Sequence, residues 1–357
     1  MNLEFFKDKT VLITGHTGFK GAWLCHILKR AGANVCGYAL EAERGSLFEV
    51  LSVSEGMNSI INDIRDMAKL AQVFHQANPE IVLHFAAQPL VLDSYARPAY
   101  TFDTNVMGTV NLLECVRESE TVRSVVIVTT DKVYKNLEWA YGYREVDTLG
   151  GSDPYSASKA CAEIVSEAYR TSFLHPKNTP ISTARAGNVI GGGDISANRI
   201  IPDCVRAAVK GKPIIIRNPS SVRPYQHVLE PLCAYLHIAE LQYKSYDFAG
   251  NYNIGPEESD CVTTGELADI FCNAWGENQS WVDASDLGAP HEANLLRLDC
   301  SKIRSKLGWR PVWNLKTAIA KTVEWEKAHH AGEDITTVMN NQIDEYLEGV
   351  ENGGFTR

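Results

Sequence analysis

The stretch that most limits what this chain can fold into lies close to its start. The apolar run Val11-Leu-Ile-Thr14 enters Gly15-His-Thr-Gly18-Phe-Lys-Gly21 directly, and a helical pattern, Trp23-Leu-x-x-Ile27-Leu28, follows at once. In such a turn the first glycine permits the tight bend and the second lets an anionic diphosphate reach the backbone. The third lets the helix close on the sheet, with the helix N-terminus facing the anion. Glycine triplets also occur in ordinary turns for steric reasons. The flanking strand and helix are what make this one specific for a dinucleotide.

Further strands are predicted at Asn34–Leu40, Ser59–Asn62, Ile81–Phe85, Ser124–Thr129 and Ile181–Ala186. Helical stretches separate them, among them Met67–Gln76 and Thr104–Arg117, where Val106, Val110, Leu113 and Val116 recur at helical spacing. Alternating strands and helices with continuously apolar strands predict an α/β fold, a doubly wound parallel sheet (Rossmann-like) covered on both faces. Beyond Gly191-Gly-Gly193 the elements are short and mixed, which predicts a smaller C-terminal α/β lobe. The expected division is residues 1–187, then 188–340 with some interleaving, then a tail, 341–357. That tail has one amphipathic patch, Ile343–Leu347, before it frays.

A chain of 357 residues with 45% apolar and 22% charged residues can bury a large core. A net charge of −10 lacks the basic surface that nucleic acid requires. Nine cysteines, an odd number without zinc-like spacing, predict free thiols, a reducing compartment and no metal. Cys25, Cys161 and Cys272 fall within apolar helical patterns, where buried thiols are expected. The N-terminus has no signal-like core, and no apolar run approaches the roughly eighteen residues that span a membrane, so a soluble, cytoplasmic protein is expected.

Ligands of doubly wound sheets lie beyond the carboxyl ends of the strands. Strand two ends at Glu41, a candidate for the ribose hydroxyls of NAD, while Arg44 nearby suits a 2′-phosphate. Asp63, after strand three, can accept from an adenine amino group or cap the helix before Met67. Phe85-Ala86-Ala87-Gln88 presents small side chains where a flat cofactor must lie, and Asn105 reads as a structural polar residue.

Strand five ends in Thr129-Thr130-Asp131-Lys132, and Tyr155-x-x-x-Lys159 opens a helix downstream. The i,i+4 spacing places Tyr155 and Lys159 on one helix face. A phenol titrates near 10, so a neighbouring ammonium and a cationic ring are needed to make it a base. Thr130 can bind the reacting hydroxyl, and Asp131 beside Lys132 supplies an acid and a base for a second proton transfer. The plain alternatives are a half-buried tyrosine beside a solvated lysine, and a solvated turn.

With these residues the chain resembles the extended short-chain dehydrogenase/reductase family. The resemblance spans about Lys9 to Arg310, and Asn188, Arg223-Pro-Tyr-Gln-His227 and Leu298-Asp-Cys-Ser-Lys302 place it near the nucleotide-sugar branch. Gly142-Tyr-Arg-Glu145, Gly187-Asn-Val-Ile-Gly-Gly-Gly-Asp194 and Lys132, where dTDP-sugar dehydratases carry Glu, are similar to the CDP-glucose 4,6-dehydratases.

The resemblance implies tightly bound NAD, regenerated each turnover, held by Gly15, Thr17, Gly18, Phe19, Lys20, Gly21, Asp63, Ile64, Phe85, Ala86, Ala87, Gln88, Thr129, Tyr155 and Lys159. It implies a CDP-glucose substrate held by Asn188, Arg199, Arg223 and His291. It also implies catalysis by Thr130, Asp131, Lys132, Tyr155 and Lys159, in a homodimer or homotetramer paired through the helices Thr104–Arg117 and Tyr155–Thr171. A nucleotide-sugar 4-epimerase shares every motif but the Asp131–Lys132 pair, and an NAD(P)-sensing binding protein shares the fold.

Overall fold

The computed structural model describes residues 2–276, 278–285 and 295–354. In chain order the strands are β1 (Thr10–Thr14), β2 (Asn34–Ala39), β3 (Asn58–Ile61), β4 (Ile81–His84), β5 (Ser124–Val128), β6 (Ile181–Ala186), β7 (Asn188–Ile190), β8 (Ile214–Ile216), β9 (Val222–His227), β10 (Asn251–Ile254), β11 (Cys261–Thr263) and β12 (Trp281–Asp283). Seven of them form one sheet in the order β10-β6-β5-β4-β1-β2-β3, with every neighbouring pair parallel.

Both faces of this sheet are buried along its inner strands, as their continuous apolar runs require, while the edge strand β3 stays partly exposed. Val11 and Ile13 enter one core with Trp23, Leu24 and Leu232, while Leu12 between them enters the other with Leu70, Leu112 and Leu113. The order of connection reverses between β1 and β4, which opens a crevice at their carboxyl ends.

The boundary at residue 187 is crossed twice by the later chain. Strand β10 returns to extend the large sheet beside β6. The helix Leu229–Lys244 packs under β5, where Gln242 Nε2 donates to the Val125 carbonyl and Ser124 Oγ donates to the Ala239 carbonyl. The remaining strands make two small sheets, β11-β9-β7 and β12-β8, with their own core around Ile190, Leu267, Phe271 and Ile319.

Residues 341–349 do not form a separate tail. They complete the helix Ile335–Gly349, whose Ile335, Met339, Ile343 and Tyr346 are buried in the large core. Tyr346 donates to Glu230 Oε2 at 2.7 Å, and the other oxygen of that buried carboxylate accepts from the amides of Val312 and Trp313. The polar run through Asn340, Asn341 and Gln342 interrupts the apolar pattern in the sequence, but Gln342 is itself buried. All nine cysteines are free, and Cys161 and Cys272 are only half-buried.

Candidate active site

The glycine turn is built as a backbone cradle. Gly15 has φ +75°, and a Cβ there would stand 2.8 Å from the Ala86 nitrogen, so β1 and β4 meet almost atom to atom at their ends. A Cβ on Gly21 would stand 2.2 Å from the Gly15 oxygen, which is why the helix Phe19–Arg30 can close on the turn. Gly18 is different. It is exposed, its nearest obstacle is 3.5 Å away, and no side chain caps the helix it begins. The first-turn N–H groups therefore remain available to an anion.

The walls of the cradle are pinned by polar side chains. Thr17 donates to the Leu40 carbonyl at 2.9 Å, and Thr14 Oγ1 accepts from the amides of Phe85 and Ala86. The buried His16 ring, bonded to Ser59 Oγ at 2.7 Å, fills the space that Gly37 of β2 leaves open. Burial lowers that imidazole to about 4, so it is a neutral packing group at physiological pH.

The outlying candidates have mixed positions. The Asp63 carboxylate pairs with Arg65 at 2.7 Å, which lowers its pKa, and the cap of the helix Met67–Ala77 is Asp66 instead. Ile64 is buried beneath Gly108. Gln88 spends its amide inside its own loop, on Leu90 and Thr101. Asn105 clamps that loop to the Tyr155 helix by donating to the Gln88 carbonyl and to Ser158. His291 lies outside the described residues. Glu41 and Arg44 are both exposed beyond β2.

The candidates that converge are those from the ends of β5, β6 and β9. Asp153 caps the helix Pro154–Tyr169, which carries Tyr155 and Lys159 on one face. Thr130 Oγ1 donates to Asp131 Oδ1 at 2.9 Å and stands beside the Tyr155 phenol, whose ionised form its hydroxyl favours. Tyr155, Thr130 and Asp131 therefore lie side by side.

The other Asp131 oxygen, Oδ2, is buried with no hydrogen-bond partner among the described residues. It faces Gly187, where a Cβ would stand 3.1 Å from it and 2.8 Å from Pro224. In the parallel pairing of β7 with β9, Asn188 lies opposite Tyr225, so Asn188, Tyr225 and the buried Arg223 share one region of the sheet. Lys132 is half-buried, with its amide on Thr130 Oγ1.

Burial pushes the Tyr155 phenol up to about 12. Thr130 and Arg199 pull it down, while the negative charge of Asp131 opposes them. Burial lowers Lys159 to about 8 against the opposing pull of Glu163, and its ammonium donates to the Val128 carbonyl at 3.2 Å.

Lys20 belongs to this cluster through its side chain, although the motif pointed to its backbone. Burial, then the charges of Arg199 and Lys159, lower it to about 7, with Asp131 and Asp194 opposing. Arg199 reaches the site from the start of the helix Ile200–Val209 and is held by Asp194 at 3.3 Å. The turn bearing Asp194 is itself gripped by the C-terminal helix Leu315–Ala331. Glu326 accepts the Gly193 amide at 3.0 Å, and the Trp325 ring covers Gly192. Glu326 carries no local sequence signal, since it acts through a partner far away in the chain.

The arrangement can therefore cradle a dinucleotide on backbone amides, bring an anionic sugar derivative against three cationic side chains, and move protons through a tyrosine and a carboxylate. A match to the GDP-mannose 4,6 dehydratase model over residues 12–322 decides the family. The chain belongs to that family of nucleotide-sugar dehydratases.

Within it, the chain is 46% identical over 351 residues to a CDP-glucose 4,6-dehydratase of Salmonella typhimurium, covering 96% of this chain and 98% of that protein. A dTDP-glucose 4,6-dehydratase of the same organism is 28% identical, over 89% of this chain and 93% of its own.

Two solved structures show how far the dehydratase fold is shared. A dTDP-glucose 4,6-dehydratase from Bacillus anthracis in complex with NAD superposes with a TM-score of 0.76 at 22% identity, covering 91% of this chain and 98% of its own. A UDP-glucose 4-epimerase from Thermotoga maritima with UDP-glucose gives 0.79, also at 22%, over 90% and 99%. Among the described residues no helix of this dehydratase is long and apolar enough to cross a membrane.

Proposed function

We propose that the chain converts CDP-D-glucose to CDP-4-keto-6-deoxy-D-glucose and water, as an NAD-dependent 4,6-dehydratase of deoxysugar biosynthesis. The observation that carries this reading is the Asp131 carboxylate. One of its oxygens is bonded to Thr130, and the other is buried and unpartnered among the described residues, beside the base candidate Tyr155. An epimerase, which only removes and returns a hydride at C4, has no use for an acid there.

The cradle fits NAD. An uncapped first helical turn, an open Gly18 and the small pair Ala86-Ala87 leave room for a diphosphate and a flat ring. The residues that would hold it are the backbone of Thr17 to Lys20, with Phe85, Ala86, Ala87, Thr129 and Lys159 around it and Asp63 and Ile64 at the adenine end. Bound NAD would supply a hydride acceptor for C4, a hydride donor for C6, and a positive ring that lowers the Tyr155 pKa.

The rest of the work falls to side chains. Asn188, Arg199 and Arg223 hold the substrate diphosphate, with the sugar directed toward Thr130 and Tyr155. Tyr155, as phenolate stabilised by Lys159, takes the C4 hydroxyl proton while Thr130 orients that oxygen. The resulting ketone acidifies C5. Lys132 in its amine form removes the C5 proton, and Asp131 gives its proton to the C6 hydroxyl, which leaves as water. When the hydride has been returned to C6, Lys132 gives a proton back to C5, and exchange with solvent returns Tyr155 to its phenolate and Asp131 to its acid form.

A second copy of the chain is the proposed partner. Leu92, Tyr95, Phe102, Met107 and Ile164 are exposed apolar side chains on or beside the two helices named for pairing. The cytoplasm is the proposed location. Incubation with CDP-, dTDP-, UDP- and GDP-glucose, scored by loss of one water, tests the reading. Loss of water from CDP-glucose first and fastest supports it, and turnover to an isomer of unchanged mass overturns it.

A further inference from the structure

Tyr155 and Lys159 have a third partner on their helix that no step above uses. Glu163 follows at the same spacing, so the three side chains share one face. Glu163 is buried at 2% exposure. Its Oε1 accepts from Thr129 at the end of β5, and its Oε2 accepts from Thr183 at 2.7 Å and from Arg185 at 2.8 Å, both on β6.

The Arg185–Glu163 pair is almost wholly removed from solvent, with both side chains at 1%. The same guanidinium donates to the Tyr134 hydroxyl at 2.8 Å, and that hydroxyl donates to Asn253 on β10 at 2.6 Å. One carboxylate thus joins the helix that carries the base candidate to β5 and β6 directly, and to β10 through Arg185 and Tyr134.

Removing two charges from water is costly, and a buried pair is a poor way to gain stability alone. The location suggests what it does instead. Lys159 is faced by Glu163 from its own helix, by Lys20 from the glycine-motif helix, and by the His84 ring from β4. Glu163 is faced by Arg185 from β6. Of these groups, Glu163 is the one whose negative charge favours a charged Lys159.

We propose that Glu163 is a positioning residue. Its carboxylate fixes the rotation of the Tyr155–Lys159 helix against β5 and β6, and its charge keeps the buried Lys159 ammonium protonated for its work on the tyrosine. The inference rests on the dehydratase reading for its catalytic consequence, but the state of Lys159 can be read without turnover.

The test compares Glu163→Gln, Glu163→Asp and Thr183→Val in the full-length protein by NMR titration of the lysine Nζ, followed by the pH dependence of kcat/KM. Glu163→Gln removes the anion and leaves the Arg185 charge unbalanced, and both effects disfavour the ammonium. The Lys159 titration and the basic limb of kcat/KM should move down together by on the order of one pH unit. Glu163→Asp keeps the charge and should restore the limb. Thr183→Val removes one hydrogen bond and should lower the melting temperature with no movement of the limb.

If Glu163→Gln does not fold, Arg185→Gln reads the same coupling with opposite sign, moving the Lys159 titration upward. A folded Glu163→Gln protein with an unmoved Lys159 titration overturns the inference, as does Glu163→Asp shifting it equally. Wild-type protein that dehydrates no nucleotide sugar overturns the functional reading separately, with the Nζ titration still deciding the role of Glu163.

Discussion

Replacing Asp131 by Asn separates the two halves of the proposed reaction. The side chain is 1% exposed, and Thr130 fixes which oxygen is which by donating to Oδ1 at 2.9 Å. The introduced carboxamide keeps its oxygen at that position and puts its nitrogen where Oδ2 stood, against Gly187, in the same volume. Packing is unchanged and no buried group loses its partner, so the thermal midpoint should move by no more than ~2 °C.

What is lost is a transferable proton. Removing a positioned general acid slows its step about 10²- to 10⁴-fold, or about 3–5 kcal/mol of barrier. C4 oxidation needs Tyr155 and Thr130 and should slow by less than about tenfold. In single-turnover experiments the absorbance of reduced nicotinamide should therefore rise near its wild-type rate and then persist, while water loss lags. If oxidation and water loss slow by the same factor, Asp131 is not the acid of the elimination.

The glycines and two ionisable side chains give further tests. Tyr155→Phe should abolish the reduced-nicotinamide phase, with kcat down about 10²- to 10⁴-fold and an unchanged melt. Gly21→Ala drives a Cβ to 2.2 Å from the Gly15 oxygen and should cost at least about 3 kcal/mol in denaturant unfolding. Gly18→Ala meets nothing closer than 3.5 Å and should fold normally but bind NAD at least about tenfold more weakly by calorimetry, because the new methyl stands in the diphosphate cradle. Burial raises Glu230 from 4.5 to about 7, so its contribution to stability is complete below its unfolded pKa and is lost as pH rises through about 7. Glu230→Gln should therefore gain stability relative to wild type between pH ~5 and ~7 in paired thermal melts. A difference that is flat across that window would place the carboxyl's titration elsewhere.

What can be read from the sequence follows the range of the interactions involved. Strands β1 to β5 are legible because each carries its own apolar run and is followed by a helix, β6 is legible by its apolar run alone, and the crevice follows from their order. The glycine turn and the cluster at Thr130, Asp131 and Tyr155 are legible because their chemistry is local in the chain.

Strand β10 reads in the sequence as part of the smaller lobe because a segment as short as Asn251–Ile254 cannot announce which sheet it extends. The helix Ile335–Gly349 is hidden except for its last apolar patch because Asn340 to Gln342 breaks the pattern that the structure completes by burying Gln342. Glu163 and Glu326 carry no signal because a carboxylate on a helix reads as solvated until its partners, here Arg185 and Gly193, arrive from elsewhere. The Lys20 side chain is hidden for a related reason, since the glycine motif draws attention to backbone amides.

The central claim is that one sugar is oxidised at C4, dehydrated across C5 and C6, and reduced at C6 in a single site. CDP-glucose carrying deuterium at C4 and C5 tests all three at once. The expected product is lighter by one water, with the C4 deuterium now at C6, solvent hydrogen at C5, and no accumulation of reduced nicotinamide. A product of unchanged mass, or one whose C6 hydrogen comes from solvent, would contradict it.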